Sequence, residues 1–105
     1  MKLFNAFSLQ MVAALDEAKV SFKKINVERA KSLLAGEVDS YIGHADTANV
    51  VSSILDMEVS AQRRFGSLAV GETALVAQVI GGRLPEGCTT LPDGMSIQFF
   101  QVTVQ

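Results

Sequence analysis

The run Ala74-Leu75-Val76-Ala77-Gln78-Val79-Ile80 constrains the fold of this chain more than any other segment. Its apolar residues do not alternate with polar ones, so a strand formed by this run must be covered on both faces. The pattern therefore predicts a central strand of a sheet. Gln78 is the one polar side chain in the run, and burying it without a partner would cost on the order of 1–3 kcal/mol. We expect Gln78 to hydrogen-bond to the backbone or to a ligand.

The rest of the chain divides into short elements by hydrophobic spacing and capping residues. Strands are predicted at residues 2–7, 20–25, 38–42, 63–70 and 96–104, with 63–70 pairing with 74–80 across a turn at Gly71-Glu72. Asn26 is predicted to cap a helix that ends at Gly36, and Asp46 or Thr47 to cap a second helix reaching about Asp56. Residues 9–18 have helical spacing but are also short enough for a loop.

These elements fit one domain over residues 1–105. An apolar content of 49% supplies enough side chains for a packed core in a chain of 105 residues. The predicted fold class is α/β, a mixed sheet of about five strands with two or three helices packed on it. A small core also favours a homodimer that hides apolar surface.

Composition excludes several classes of protein. No apolar run approaches the roughly 20 residues needed to cross a bilayer, and polar residues interrupt the start of the chain too early for a signal peptide. The single Cys88 provides neither an internal disulfide nor a thiolate metal site, so we expect no metal, no cofactor and a cytoplasmic protein. The net charge of −2 argues against binding of DNA or long RNA.

His44 is the only histidine, and it lies where a short apolar run gives way to a helical pattern. The start of a helix presents unpaired N–H groups that can hold a phosphate, and an imidazole can transfer a proton near neutral pH. These properties favour a site for a phosphorylated ligand, although a histidine that only caps the helix fits the same pattern. Glu86, fixed between Pro85 and Gly87, is either a partner for the histidine or a solvated loop carboxylate.

Other polar residues are weaker candidates. Arg63, Arg64 and Arg83 match phosphate bidentately if they converge, and otherwise they only solubilise the surface. Asn5 and Ser8, after the first strand, can supply neutral hydrogen bonds to a sugar or base.

Several segments together resemble the viral anti-CRISPR ring nucleases, small proteins of archaeal viruses and phages. The resemblance runs from residue 2 to about residue 87, with matching segments in the same order. They are Asn5-Ala6 with Ser8, Ile42-Gly43-His44-Ala45-Asp46-Thr47-Ala48, Arg63, Gly71-Glu72-Thr73-Ala74-Leu75-Val76 with Gln78, and Arg83-Leu84-Pro85-Glu86-Gly87.

The resemblance implies a homodimer that binds cyclic oligoadenylate, typically cyclic tetra-adenylate, across its interface and cuts this second messenger without a metal. A ribose 2′-hydroxyl of the ligand attacks the adjacent phosphorus, and a histidine protonates the departing 5′-oxygen. The residues that the resemblance assigns to these roles are His44 as general acid, Glu86 as its catalytic helper, and Asn5, Ser8, Arg63, Gln78 and Arg83 as ligand-binding residues.

The chain also departs from the family pattern. The stretch 78–83 is about one residue longer, with paired glycines at 81 and 82, and the C-terminal segment is less polar and less helical. These departures favour an alternative, a protein that sequesters a cyclic nucleotide immune signal without cutting it. A third interpretation is an interaction module that assembles through the apolar last strand.

Overall fold

The strand predicted from residues 74–80 is the middle member of a five-stranded sheet in the computed structural model, which describes residues 1–105. The strands are β1 (Lys2–Phe4), β2 (Val20–Ile25), β3 (Asp39–Ser40), β4 (Thr73–Ile80) and β5 (Ser96–Val104). Two α-helices, α1 (Val27–Leu34) and α2 (Ala45–Leu55), and a 3₁₀ turn at Leu9–Val12 complete the regular structure. The predicted fold class is confirmed.

The sheet order is β2-β5-β4-β1-β3. Strands β1, β3 and β4 are parallel neighbours, whereas β5 runs antiparallel to both β4 and β2. The ladder between β4 and β5 is the longest, from Thr73 opposite Thr103 to Ile80 opposite Ser96. The carboxyl ends of β1, β3 and β4 therefore meet at one edge of the sheet.

Both faces of β4 are covered, as its apolar pattern predicts. Leu75 and Ala77 face a core built with α1 and α2, while Ala74 and Val76 face a second core under the 3₁₀ turn. Leu75 is fully buried, and so is Phe99 on the neighbouring strand. The two helices pack on one face only, so irregular chain closes the other.

The helix starts agree only partly with prediction. Asn26 caps α1 as expected, since its Oδ1 accepts a hydrogen bond from the backbone N–H of Arg29 at 2.8 Å. The N-cap of α2 is His44, so the prediction of Asp46 or Thr47 at that position is wrong. Thr47 is buried inside the first turn, and the Asp46 carboxylate binds a distant loop instead.

The predicted strand at residues 63–70 is wrong. This segment has no regular structure, because β1 and β5 already occupy both edges of β4 and leave no ladder for it to join. It is held instead by a bond from the Leu68 N–H to the Met11 carbonyl at 2.8 Å and by contacts of Arg64. The turn at Gly71-Glu72 is present, with the Glu72 N–H donating to the Ala69 carbonyl. Neither helix is long and apolar enough to span a membrane.

Candidate functional site

A polar cleft of about 250 Å³ opens at the sheet edge where the parallel strands β1, β3 and β4 end. Asn5 follows β1, His44 follows β3 at the start of α2, and Gln78 lies near the end of β4. The residues that line the cleft are Asn5, Ala6, His44, Asp46, Thr47, Gln78, Val79, Gly82, Arg83 and Leu84. Four of the residues assigned from the sequence, Asn5, His44, Gln78 and Arg83, therefore come together in one cleft.

His44 has an exposed side chain that makes no capping hydrogen bond to its helix. Its extended backbone (φ −126°, ψ 128°) belongs to the N-cap position, and its carbonyl accepts the first helical bond from the Ala48 N–H at 3.0 Å. The imidazole is therefore not used to cap α2. It faces the cleft with its proton-transferring nitrogens available to a ligand.

The start of α2 brings unpaired backbone N–H groups to the cleft. Because the first intrahelical bond is donated by Ala48, the backbone N–H groups of residues 45–47 have no partner within the helix. Unpaired N–H groups and the helix dipole stabilise an anion at this end. The geometry suits a phosphate held beside the His44 ring.

Gln78 contributes an amide that is half-buried at the cleft wall. Its Nε2 donates to the carbonyl of Val79 at 3.1 Å, so the expected partner is a backbone group. The Gln78 amide oxygen makes no hydrogen bond within the protein, which leaves it available as an acceptor. Gln78 also lines an apolar groove next to the cleft, formed with Phe7, Phe22, Val76 and Phe100.

Arg83 is exposed on the loop between β4 and β5 and lines the cleft without an acidic partner. The two ion pairs of the molecule join Lys2 to Glu72 and Arg64 to Asp39, so neither involves Arg83. The loop begins at Gly81, whose φ of +103° and close approach to the Gly94 carbonyl exclude a side chain. Gly81 thus closes the base of the loop that carries Arg83.

Three of the assigned residues do not line the cleft. Glu86 is exposed farther along the same loop, and Ser8 is exposed at the start of the 3₁₀ turn. Arg63 is also exposed, and its Cγ lies 3.9 Å from where a Cβ would stand on Gly43. Arg63 is therefore next to the residue that precedes His44, within reach of a ligand larger than the cleft.

The neighbouring side chains of Arg63 and Arg64 have different surroundings. The Arg64 guanidinium lies 4.1 Å from the centroid of the Tyr41 ring, which in turn stacks on Phe4. It also donates to the Ser40 carbonyl and pairs with Asp39. Arg64 therefore ties the irregular segment to β3, so of these two neighbouring arginines only Arg63 is available to a ligand.

Asp46 is a cleft residue whose role the sequence analysis missed. Its Oδ1 accepts a hydrogen bond from the backbone N–H of Gly87 at 2.7 Å. Acidic residues in the first turn of a helix commonly stabilise the helix dipole, so nothing in the local sequence predicts a contact 41 residues away. The bond joins the start of α2 to the Arg83-Leu84-Pro85-Glu86-Gly87 turn.

Glu72, a carboxyl group with a lowered pKa, lies away from the cleft. Burial acts to raise the pKa of Glu72, but the Ala69 N–H and the Lys2 ammonium act more strongly together and hold it below its ordinary value. Glu72 is at the amino end of β4, opposite the cleft. No three His, Cys, Asp or Glu side chains come together in a set that could hold a metal ion.

The fold and the cleft define a class: a small α/β protein whose mixed sheet presents a polar, anion-compatible cleft where parallel strands end and a helix begins. Residues 1–98 match the STIV B116-like family, so the chain belongs to that family. Among solved structures it is similar to B116 of Sulfolobus turreted icosahedral virus, with a TM-score of 0.77 and 25% sequence identity over 97% of each chain. No curated protein sequence matches the chain significantly.

Proposed function

We propose that this chain is a viral anti-defence enzyme that binds and cleaves cyclic oligoadenylate, with cyclic tetra-adenylate as the substrate. The observation that carries the proposal is the position of His44, free of any capping role and beside the unpaired N–H groups of α2, in one cleft with Arg83 and Gln78. The resemblance to ring nucleases supports the same substrate. Membership of a family named after a viral protein supports a viral origin.

The proposed reaction is an intramolecular transesterification. A ribose 2′-hydroxyl of the ligand loses its proton to solvent as its oxygen attacks the adjacent phosphorus, the bond from phosphorus to the 5′-oxygen breaks, and His44 gives its proton to that oxygen. The product is a linear oligoadenylate with a 2′,3′-cyclic phosphate. Since the nucleophile belongs to the substrate, the protein supplies orientation, charge stabilisation and one proton donor. Arg83 and the α2 N–H groups stabilise the negative charge on the non-bridging phosphate oxygens during the attack.

Cleavage is tested by incubating the protein with cyclic tetra-adenylate in EDTA and separating the products. We expect His44→Asn to lower the single-turnover rate by about 10²–10⁴-fold, the usual contribution of a general acid. Asparagine is also favoured at an N-cap, so this variant removes the proton donor without weakening the start of α2. Wild-type activity in His44→Asn would refute the assignment of His44.

Two further arms test the ligand and the nucleophile. We expect Arg83→Ala to weaken binding, whereas Arg29→Ala, on the exposed surface of α1, serves as the control for loss of one guanidinium. A ring built from deoxyadenylate lacks the 2′-hydroxyl, so it should bind and stay intact. Cleavage of the deoxy ring would exclude the proposed nucleophile.

Glu86 supports a second candidate function, sequestration of a cyclic nucleotide without turnover. This carboxylate is exposed and does not line the cleft, so His44 has no carboxylate partner from that loop there. Calorimetry against cyclic di-, tri- and tetranucleotides, followed by recovery of the ligand, separates the two functions. Tight binding with fully intact ligand would favour sequestration.

The proposal includes a homodimer. The cleft of about 250 Å³ is smaller than the range of about 300–1,000 Å³ that is typical for drug-sized ligands, so a ring of four nucleotides needs more surface than one copy offers. Exposed apolar side chains such as Phe22 and Ile80 give a second copy a surface to bury. Sedimentation equilibrium tests this part, and a monomer in the presence of saturating ligand would contradict it.

A further inference from the structure

The loop of residues 81–94, called here the site loop, carries Arg83 and Glu86 but has little structure of its own to hold it in place. It contains no helix or strand, and hydrogen bonds between its own residues are few, such as the one from the Cys88 N–H to the Pro85 carbonyl at 3.3 Å. Its two ends are fixed by the ladder of β4 and β5. Between those ends, the position of the site loop depends on contacts with the rest of the protein.

Two hydrogen bonds join the site loop to α2. The Gly87 N–H donates to Asp46 Oδ1 at 2.7 Å, and Ser53 Oγ lies 3.1 Å from the Thr89 carbonyl. The first bond has a charged acceptor and is the shorter of the two, and hydrogen bonds to charged groups are the stronger class. The Ser53 hydroxyl also lies within hydrogen-bond distance of the Asn49 carbonyl in its own helix. Because one hydroxyl proton is shared between two acceptors, its bond to the loop is the weaker one.

Asp46 connects the start of α2 to the site loop. It lies two residues after His44 in the first turn of α2, and its partner Gly87 directly follows Glu86. The bond therefore fixes the loop backbone next to Glu86 relative to the turn that carries His44. No other hydrogen bond links the start of α2 to the site loop near the cleft.

We propose that Asp46 is a positioning residue: its carboxylate holds the site loop against the start of α2 so that Arg83 stands in the cleft beside His44. This inference rests on the proposed function for its catalytic part. Asp46 contacts the loop rather than the reacting atoms, and its effect on the reaction is exerted through Arg83.

If Asp46 acted only through its charge, its removal would favour the ligand. Because this carboxylate lines a cleft proposed to hold phosphodiesters, its removal relieves repulsion and should tighten ligand binding. Loss of the bond to Gly87 instead frees the site loop and should lower the rate of the chemical step. The split between KM and kcat therefore distinguishes positioning from simple electrostatics.

The experiment compares Asp46→Ala, Asp46→Asn and Asp56→Asn with the full-length wild type. Asparagine at 46 retains an oxygen acceptor for the Gly87 N–H but loses the charge. Asp56→Asn removes one charge from the other end of α2, where the exposed side chain makes no hydrogen bond to the site loop, and serves as the control. Hydrogen exchange of the peptide covering residues 82–94, without ligand, measures the loop, and single-turnover cleavage of cyclic tetra-adenylate measures the reaction.

We expect Asp46→Ala to increase exchange in the site loop and to lower the cleavage rate at saturating ligand by about tenfold or more, a loss that relief of charge repulsion alone does not produce. Tenfold corresponds to about 1.4 kcal/mol, near the lower end for a hydrogen bond with a charged partner. Asp46→Asn should lose less than Asp46→Ala, and Asp56→Asn should match the wild type. Unchanged exchange, or increased exchange with an unchanged rate, would overturn the positioning role.

The two proposals fail in different ways. If the wild type leaves every tested ring intact, the proposed enzymatic function is wrong, and the hydrogen-exchange arm still decides whether Asp46 holds the site loop. If the wild type cleaves the ring and Asp46→Ala cleaves it equally fast, the function stands and the inference about Asp46 is wrong.

Discussion

Replacement of Gly81 by alanine should destabilise the protein more than the same replacement at the neighbouring Gly82. Both glycines have left-handed backbone conformations, with φ of +103° and +134°, that residues with a side chain rarely adopt. They differ in their surroundings. A Cβ on Gly81 would stand 2.6 Å from the Gly94 carbonyl oxygen, whereas a Cβ on Gly82 would meet nothing within 4 Å.

The expected loss of stability has two sources, the backbone conformation of the glycine and the contact that a new Cβ would make. A non-glycine residue in a disfavoured backbone region costs of order 1–3 kcal/mol, and this cost applies to both variants. Carbon–oxygen contacts are normally about 3.3 Å or longer, so the Gly94 backbone must retreat by about 0.7 Å to admit the new methyl group of Gly81→Ala. Overpacking of this kind adds about 1–3 kcal/mol. We expect Gly81→Ala to be at least about 1 kcal/mol less stable than Gly82→Ala.

Urea unfolding followed by circular dichroism gives the free energy of unfolding of each variant, and thermal unfolding gives an independent value. For a domain of this size a difference of 1 kcal/mol corresponds to roughly 4 °C or more in Tm. Equal stability of the two variants would refute the close approach of Gly81 to Gly94, and with it the closed base of the site loop.

Three further changes test the fold. Leu75→Ala, at a fully buried position of β4, should cost about 2–5 kcal/mol in urea unfolding, and Leu9→Ala, at a position that is 81% exposed, should cost almost nothing; equal costs would contradict the assigned core. Asn26→Ala should lower the free energy of unfolding by about 0.5–2 kcal/mol, and with it the Tm, because the cap of α1 is lost, while Asn26→Ser should stay close to the wild type. Because folding lowers the pKa of Glu72, its contribution is complete above the ordinary value of 4.5 and is lost as the pH falls through the folded value. The stability difference between the wild type and Glu72→Gln should therefore be constant near neutral pH and shrink in acid, and a pH-independent difference would contradict the ion pair with Lys2.

The longer elements were predictable because their patterns extend over several turns or residue pairs. The bounds predicted for β2 and β5 are the ones observed, and α1 begins at the predicted cap. The prediction of β4 as a buried central strand is confirmed by its place in the sheet order. In these segments the local pattern and the tertiary environment favour the same structure, so sequence spacing was sufficient.

The errors occur where tertiary contacts override local preference. Residues 63–70 have the composition of a strand, yet the segment covers a sheet face and is anchored by Arg64 and Leu68 without joining a ladder. Whether a segment joins a sheet as a strand or packs over its face depends on which strand edges are already occupied. The sequence of the segment does not contain that information. The strands predicted at residues 2–7 and 38–42 are too long for the same reason. In the structure β1 has three residues and β3 has two.

The position of the cleft follows from those two short strands. Asn5, His44 and Gln78 are far apart in sequence, and they meet because β1 pairs in parallel with both β3 and β4, which brings three carboxyl ends to one edge. His44 was identifiable from its place between a strand pattern and a helix pattern, whereas its convergence with Asn5 and Gln78 required the strand order. The sequence therefore indicates which side chains suit phosphate chemistry, and parallel pairing through a three-residue strand decides which of them can act on one ligand.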